Sequence, residues 1–213
     1  MDIPLLSLPL IVIILTALVS VIAFSSPSLI EKLIFNPFRI KRRHEYYRFL
    51  TSGFIHGHYP HLIFNMFTLY FFAPVVEQQY QYYFGERLGM IYFLLVYLGA
   101  IIVGGFSDYF KYQDHPHYNA LGASGGVSGI LMASVLMAPL NKLYLMFIPI
   151  GIPGFIFGVL YLLFSYHQSR HGQDNIGHAA HLWGAVFGVA LTALLRPAFL
   201  MEFVEQISQW RLF

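Results

Sequence analysis

Residues 122–137 read Gly122-Ala123-Ser124-Gly125-Gly126-Val127-Ser128-Gly129-Ile130-Leu131-Met132-Ala133-Ser134-Val135-Leu136-Met137. The stretch carries no charge and predicts a helix starting near Ser124 in an apolar setting. Gly122 and Gly126, like Gly125 and Gly129, are small residues four apart, a spacing that lets membrane helices approach closely. The same Gly-x-Ser-Gly junction leaves a serine hydroxyl with little steric cover. It sits beside a helix N-terminus, where unpaired N–H groups and the positive dipole end suit a developing oxyanion. On this stretch alone, close packing and catalysis are both open.

Composition decides the solvent. Hydrophobic residues make up 57% of the 213 and charged residues 10%, against about 25% charged in soluble domains. Mean hydropathy is +0.62. So little polar surface cannot cover a water-exposed core, whereas a bilayer removes that need. The length suits one membrane domain, residues 1–213. Cysteine is absent, which excludes disulfides, thiolate catalysis and cysteine metal sites. A net charge of +2 carries no information about nucleic acid, and no nucleic-acid partner is expected.

Six apolar runs predict an all-α, polytopic bundle of six transmembrane helices: 5–24, 60–76, 88–106, 124–137, 143–166 and 176–195. The first run has no preceding basic region and reads as a spanning helix rather than a cleaved signal. A long first loop carries Lys32, Arg39, Lys41, Arg42, Arg43 and Arg48. Residues 77–87 read as a polar, tyrosine-rich connector, 107–119 and 167–175 as loops, and Pro149 and Pro153 as kinks in the fifth span. The tail after Arg196-Pro197 reads as a short amphipathic segment on the membrane surface.

Six spans alternate in direction, so the second, fourth and sixth enter from one side. Their N-terminal halves hold His61 and Asn65, Ser124 and Ser128, and His178 and His181. Polar groups at depth are costly and usually functional. A serine nucleophile needs a base, and histidine serves near neutral pH. His181 precedes Gly184 by three residues, with Gly188 a turn further. A glycine face there, meeting the glycine face of the fourth span, brings His181 towards Ser124. His178 is expected to be shallower and wetter. His61 and Asn65, four apart on one helix face, can both donate to an oxyanion. Taken singly, each histidine also fits a hydrogen-bonded core role, and the pair on the second span fits interhelical bonding.

Together these pieces resemble the rhomboid family. Arg48-Phe49-Leu50-Thr51-Ser52-Gly53-Phe54-Ile55-His56 and His61-Leu62-Ile63-Phe64-Asn65-Met66 look like its first loop and second helix. Gly122-Ala123-Ser124-Gly125 resembles its nucleophile motif, and Ala180-His181-Leu182-Trp183-Gly184 its histidine helix. Glu77 sits about where the family keeps a loop-stabilising glutamate. The match runs from about residue 48 to 188. It implies a rhomboid-like bundle acting as an intramembrane serine protease, with Ser124 as nucleophile, His181 as base, and His61 and Asn65 at the oxyanion. No cofactor and no metal are implied. The partners are transmembrane protein substrates and the lipid bilayer.

The chain departs from the family in three places. Tyr47-Arg48 stands for Trp-Arg. Ser128 stands where many members carry an aromatic packed on the base, and its own Gly126-Val127-Ser128-Gly129 context makes it a rival nucleophile. The 78–87 connector is long. The expected setting is a bacterial inner membrane with the active site facing outward, although six of the twelve Lys and Arg residues lie in the first loop, against the positive-inside rule; that loop can lie on lipid phosphates. A histidine-cluster metalloenzyme using His56, His58, His61, His178 and His181 is the main rival, followed by a proteolytically inactive client-binding relative. A transporter would show repeated halves, which the chain lacks.

Overall fold

A computed structural model describes residues 7–144, 150–172 and 176–211. Its centre is the quoted stretch. Helix α7 (Ser124–Met137) is buried at every position after Ser124. A helix that is apolar on all sides belongs inside a bundle, and its glycines, alanines and serines let neighbours come close. Packed around α7 are α5 (Tyr59–Phe84), α6 (Glu86–Tyr112) and α9 (His178–Leu195). Outside these, α1 (Leu8–Phe24) lies on α5, and α8 (Gly154–His171) lies on α9.

The outside of the bundle shows which solvent it is built for. Ile14, Leu15, Leu18 and Ile22 of α1, Ile63, Phe64, Phe67 and Phe71 of α5, and Leu160, Leu163 and Phe164 of α8 are all exposed. A continuous apolar surface of this size belongs in lipid. Three helices, α5, α6 and α9, are long and apolar enough to cross a bilayer, and α1 and α7 are shorter apolar helices. The polar last turn of α8, with Gln168, Arg170 and His171, dilutes its apolar run. The protein is an all-α, multi-pass membrane bundle.

Lengths differ from the sequence expectation in an informative way. The predicted connector 77–87 does not exist as a loop. Helix α5 continues to Phe84, the chain turns at Gly85 with φ +80, and α6 starts at Glu86. Residues 107–112 likewise continue α6, and 167–171 continue α8. Hydropathy marks where the apolar run ends, whereas the backbone ladder continues into the interface wherever side chains still pack. Tyr80 does so, wholly buried with its hydroxyl 2.7 Å from Thr192 Oγ1. Glu77 is buried within α5. At 26 and 27 residues, α5 and α6 run to about 40 Å, beyond a hydrocarbon core of about 30 Å.

The fifth span is the larger correction. Lys142–Tyr144 (β1) pairs antiparallel with Gly151–Pro153 (β2), and α8 begins at Gly154. Pro153 is the N-cap of α8 rather than a kink; Pro149 lies outside the described residues. Proline disfavours helix in the residue before it, so Ile152 is extended. The first loop is also ordered, through α2 (Pro27–Leu33), α3 (Pro37–Arg43), α4 (Arg48–Thr51) and a 3-10 turn, Ser52–Phe54. Arg48 is fully buried and donates from Nη1 to the carbonyls of Glu31 (2.9 Å) and Ile34 (2.7 Å), while Nε pairs with Glu45. The tail forms α10 (Ala198–Gln209), amphipathic as expected, with Leu200, Met201 and Val204 exposed.

Candidate active site

Helix α7 has 14 residues, about 21 Å, and falls roughly 9 Å short of the hydrocarbon thickness. A helix this short leaves part of that depth to the chain on either side, and residues 120–123 form the approach to its N-terminus. Two contacts pin that approach: Phe35 and Ala120 exchange backbone hydrogen bonds of 3.0 Å, and Gly122 N–H donates to Ser52 O at 2.9 Å. Gly122 then turns with φ +120, in the region that favours glycine. A Cβ there would lie 2.5 Å from His61 Cε1. The turn before Ser124 is thus pressed onto the imidazole of His61.

Across the bundle, α7 and α9 touch backbone to backbone. A Cβ on Gly184 would collide with the Gly125 carbonyl oxygen, and one on Gly188 with that of Gly129. Gly125 also faces Ala180 O, 3.5 Å from where its Cβ would be. The starts of α5, α7 and α9 therefore gather at one end of the bundle. Ser124 and His181 are the sequence neighbours of this seam, each half-buried.

His61 and Asn65 occupy the first two turns of α5. Asn65 is buried and donates from Nδ2 to His61 O at 3.1 Å; His61 N–H is capped by His58 Nδ1 at 3.1 Å. His178 is buried to 5% exposure, whereas His181 is half-buried. This reverses the expectation that His178 is the wetter of the two. The cause is tertiary: Phe164 of α8 stands edge-on to the His178 ring at 5.7 Å, and the end of α8 covers it. The His178 and His181 rings are 5.8 Å apart.

Ser128 is buried, with its Oγ 2.7 Å from Ser124 O and 2.5 Å from Tyr161 Oη. A hydroxyl so engaged is a poor nucleophile, while Ser124 stands at the open first turn with no side-chain cap.

Sequence reasoning left His56 without a role except as a metal-ligand candidate. The structure makes it a strut. Ser20 Oγ donates to Phe54 O (2.9 Å), so it accepts from His56 Nδ1 (2.9 Å), which leaves Nε2 to accept the Ala123 N–H at 3.4 Å. Burial, then the nearby His61 and His58, push the imidazole down to about 3. It is a neutral bracket under the residue before Ser124. Its signals in the chain are the cluster His56, His58, His61 and its place at the end of the first-loop motif. Among the described residues no three His, Asp or Glu side chains converge as metal ligands.

Known proteins resemble this chain in sequence. The family model described as "Rhomboid domain" matches residues 43–198. The chain is 32% identical over 151 residues to "Putative rhomboid protease YdcA" of Bacillus subtilis, covering 70% of this chain and 67% of the relative. It is 28% identical over 156 residues to "RHOMBOID-like protein 12, mitochondrial" of Arabidopsis thaliana, covering 69% of this chain and 46% of that protein. It is 30% identical over 146 residues to human "Presenilin-associated rhomboid-like protein, mitochondrial", covering 66% and 35%. The chain thus spans about half the length of the plant relative and about a third of the human one. The match reaches from Arg43 at the end of α3 to Ala198 at the start of α10, across every helix that meets at Ser124, and the chain belongs to the rhomboid family.

Proposed function

We propose that the protein is an intramembrane serine protease, cutting peptide bonds in or near transmembrane segments of other membrane proteins. The observation that carries this reading is the gathering of the α5, α7 and α9 starts around Ser124, through the Gly122–His61 and Gly125–Gly184 contacts. Ser124 Oγ attacks the peptide carbonyl carbon as His181 takes its proton. The tetrahedral oxyanion is held by His61 and Asn65 side chains and by unpaired N–H groups of the first turn of α7. The C–N bond breaks as His181 returns the proton to the leaving amine. Water then attacks the acyl-enzyme, again with His181 as base, and frees the carboxylate and Ser124.

Hydrolysis below the membrane surface needs water there. Water is proposed to reach Ser124 from the end where the three helices start, past the polar side chains of His61 and His181. A substrate helix must unwind locally, because its carbonyls are hydrogen-bonded within the helix, so small or helix-breaking residues near the cut favour cleavage. The setting proposed is a bacterial cell membrane with that end outward; the bacterial relative supports the bacterial setting, whereas the plant and human relatives are named as mitochondrial. The basic first loop, with Lys41, Arg42 and Arg43 ending α3, then lies against lipid phosphates. The whole of residues 1–213 is proposed to act as one domain.

The test is cleavage of a single-span substrate by the purified protein in lipid, with Ser124→Ala beside wild type. Wild type is expected to cut and the variant to be inactive. A fluorophosphonate is expected to label Ser124, and chelators are expected to leave cleavage intact. No labelling and no cleavage of several single-span substrates would turn the reading towards a client-binding protein; cleavage lost to chelator and restored by zinc would turn it towards a metalloenzyme.

A further inference from the structure

Ser128 lies one turn below Ser124 on α7, and its hydroxyl has two partners whose roles are fixed by chemistry. The Ser124 carbonyl, 2.7 Å away, can only accept. Ser128 therefore donates to it, and Tyr161, 2.5 Å from the same oxygen, must be the donor to Ser128. A directed chain runs from Tyr161 O–H to Ser128 O–H to the carbonyl of Ser124. In a buried setting such chains polarise one another and hold their members in one geometry.

Tyr161 comes from a different helix. It lies in the middle of α8, stacks on Phe157 at 5.9 Å, and packs against the small cluster of Met132 and Val135 on α7 and Ala185 on α9. Ala185 is one turn along α9 from His181. One side chain thus bonds to Ser128, one turn after Ser124, and packs against a cluster that includes Ala185, one turn after His181. The first turn of α7 has no side-chain cap, and Gly125, Gly126 and Gly129 give it little stiffness of its own. Something outside the helix must fix it, and this chain reaches it from below.

We propose that Tyr161 is a positioning residue for hydrolysis: acting through Ser128, its hydroxyl holds the Ser124 turn in register with the base helix. The proposal rests on the protease reading above. A ring that only filled space would tolerate loss of its hydroxyl; a hydroxyl that sets register would not, because displacements on the order of 1 Å at a reacting centre cost about 100-fold. The chain is small and the rest of the seam intact, so a loss of about tenfold is expected.

The experiment measures the rate of fluorophosphonate labelling at Ser124, with kcat and KM on a single-span substrate, for wild type, Tyr161→Phe, Ser128→Ala, the double variant and Ser128→Thr. Tyr161→Phe and Ser128→Ala are each expected to lower labelling and kcat about tenfold with KM unchanged. The double variant should be no slower than either single one, because both break the same chain. Ser128→Thr, which keeps the hydroxyl, should recover most of the rate. Wild-type labelling rates in Tyr161→Phe, or losses that multiply in the double variant, overturn the proposal while leaving the protease reading intact. If Tyr161→Phe does not fold, Ser128→Ala against Ser128→Thr decides, since equal rates in those two refute a role for the hydroxyl. Wild-type protein that takes no label at Ser124 defeats the protease reading and this proposal with it.

Discussion

Gly125 and Gly184 are in contact through their backbones, so that a single added methyl on Gly184 would meet the Gly125 carbonyl oxygen. Neither backbone can retreat easily, because Gly125 is also backed by the Ala100 carbonyl of α6. The spacing of α7 from α9, and with it the distance from Ser124 to His181, is set by the absence of a side chain.

Gly184→Ala is therefore expected to lower cleavage about 100-fold through a displacement on the order of 1 Å, while costing about 1–3 kcal/mol of stability as an overpacked core site. Gly184→Val should lose more of both. Gly177→Ala is the comparison, since the nearest atom to its added methyl is Ala180 Cβ at 3.7 Å; it should behave like wild type. Cleavage rates and thermal unfolding in detergent separate the two effects. Full activity in Gly184→Ala would show that the seam does not govern the site.

The two histidines of α9 should differ sharply. His181→Ala is expected to remove nearly all activity, by about 10⁴-fold or more, as for a base acting together with its nucleophile. His178→Ala should cost about tenfold, because the buried His178 ring is wedged between Phe164 and His181 and its loss loosens the base rather than removing it. The rate should follow one ionisation near neutrality. An inactive His178→Ala beside an active His181→Ala would shift the base by one turn and end the Ser124–His181 assignment.

Acid should destabilise the protein through His56. Its imidazole is held down at about 3 by burial and by His61 and His58, while an unfolded histidine titrates near 6.5. Between those values the unfolded chain binds a proton that the folded one refuses. Stability from this site is full above about pH 6.5 and is lost as pH falls towards 3, by up to about 1.4 kcal/mol per pH unit. His56→Gln can keep a hydrogen bond without titrating, so its unfolding temperature should fall less between pH 6.5 and 4 than that of wild type. Parallel curves for the two proteins would remove His56 as the acid-sensitive group.

Much of the bundle was legible in the chain because lipid makes a blunt demand. Long apolar runs can satisfy their backbone in a bilayer only as helices or closed barrels. The 60–76, 88–106 and 176–195 runs accordingly fall on α5, α6 and α9, the 5–24 run falls on α1 from Leu8 onward with residues 5–6 outside the described residues, and 124–137 coincides with α7. Helix ends were less legible. Residues 77–84 and 107–112 are helical although polar, since an interfacial turn is held by tertiary packing such as Tyr80 on Thr192. Within the predicted 143–166 helix, residues 143–144 and 151–153 are strand instead, because apolar composition alone does not separate a helix from the β1–β2 pair; Gly151 and Pro153 are the available signals.

By itself, the sequence determined the solvent, the all-α bundle, the small-residue spacings that allow α7 and α9 to meet, and the candidates Ser124, His181, His61 and Asn65. Each follows from composition, from helical periodicity along one segment, or from motifs of a known family. Only the tertiary structure decided which neighbours those residues have. It buried His178 under Phe164, turned His56 into a strut between Ser20 and Ala123, and set Tyr161 against Ser128. These contacts join residues 14 to 67 positions apart on different segments. A hydrogen bond or a ring contact across such a distance leaves no period in the chain, because it depends on how two separate helices are rotated and at what depth they meet.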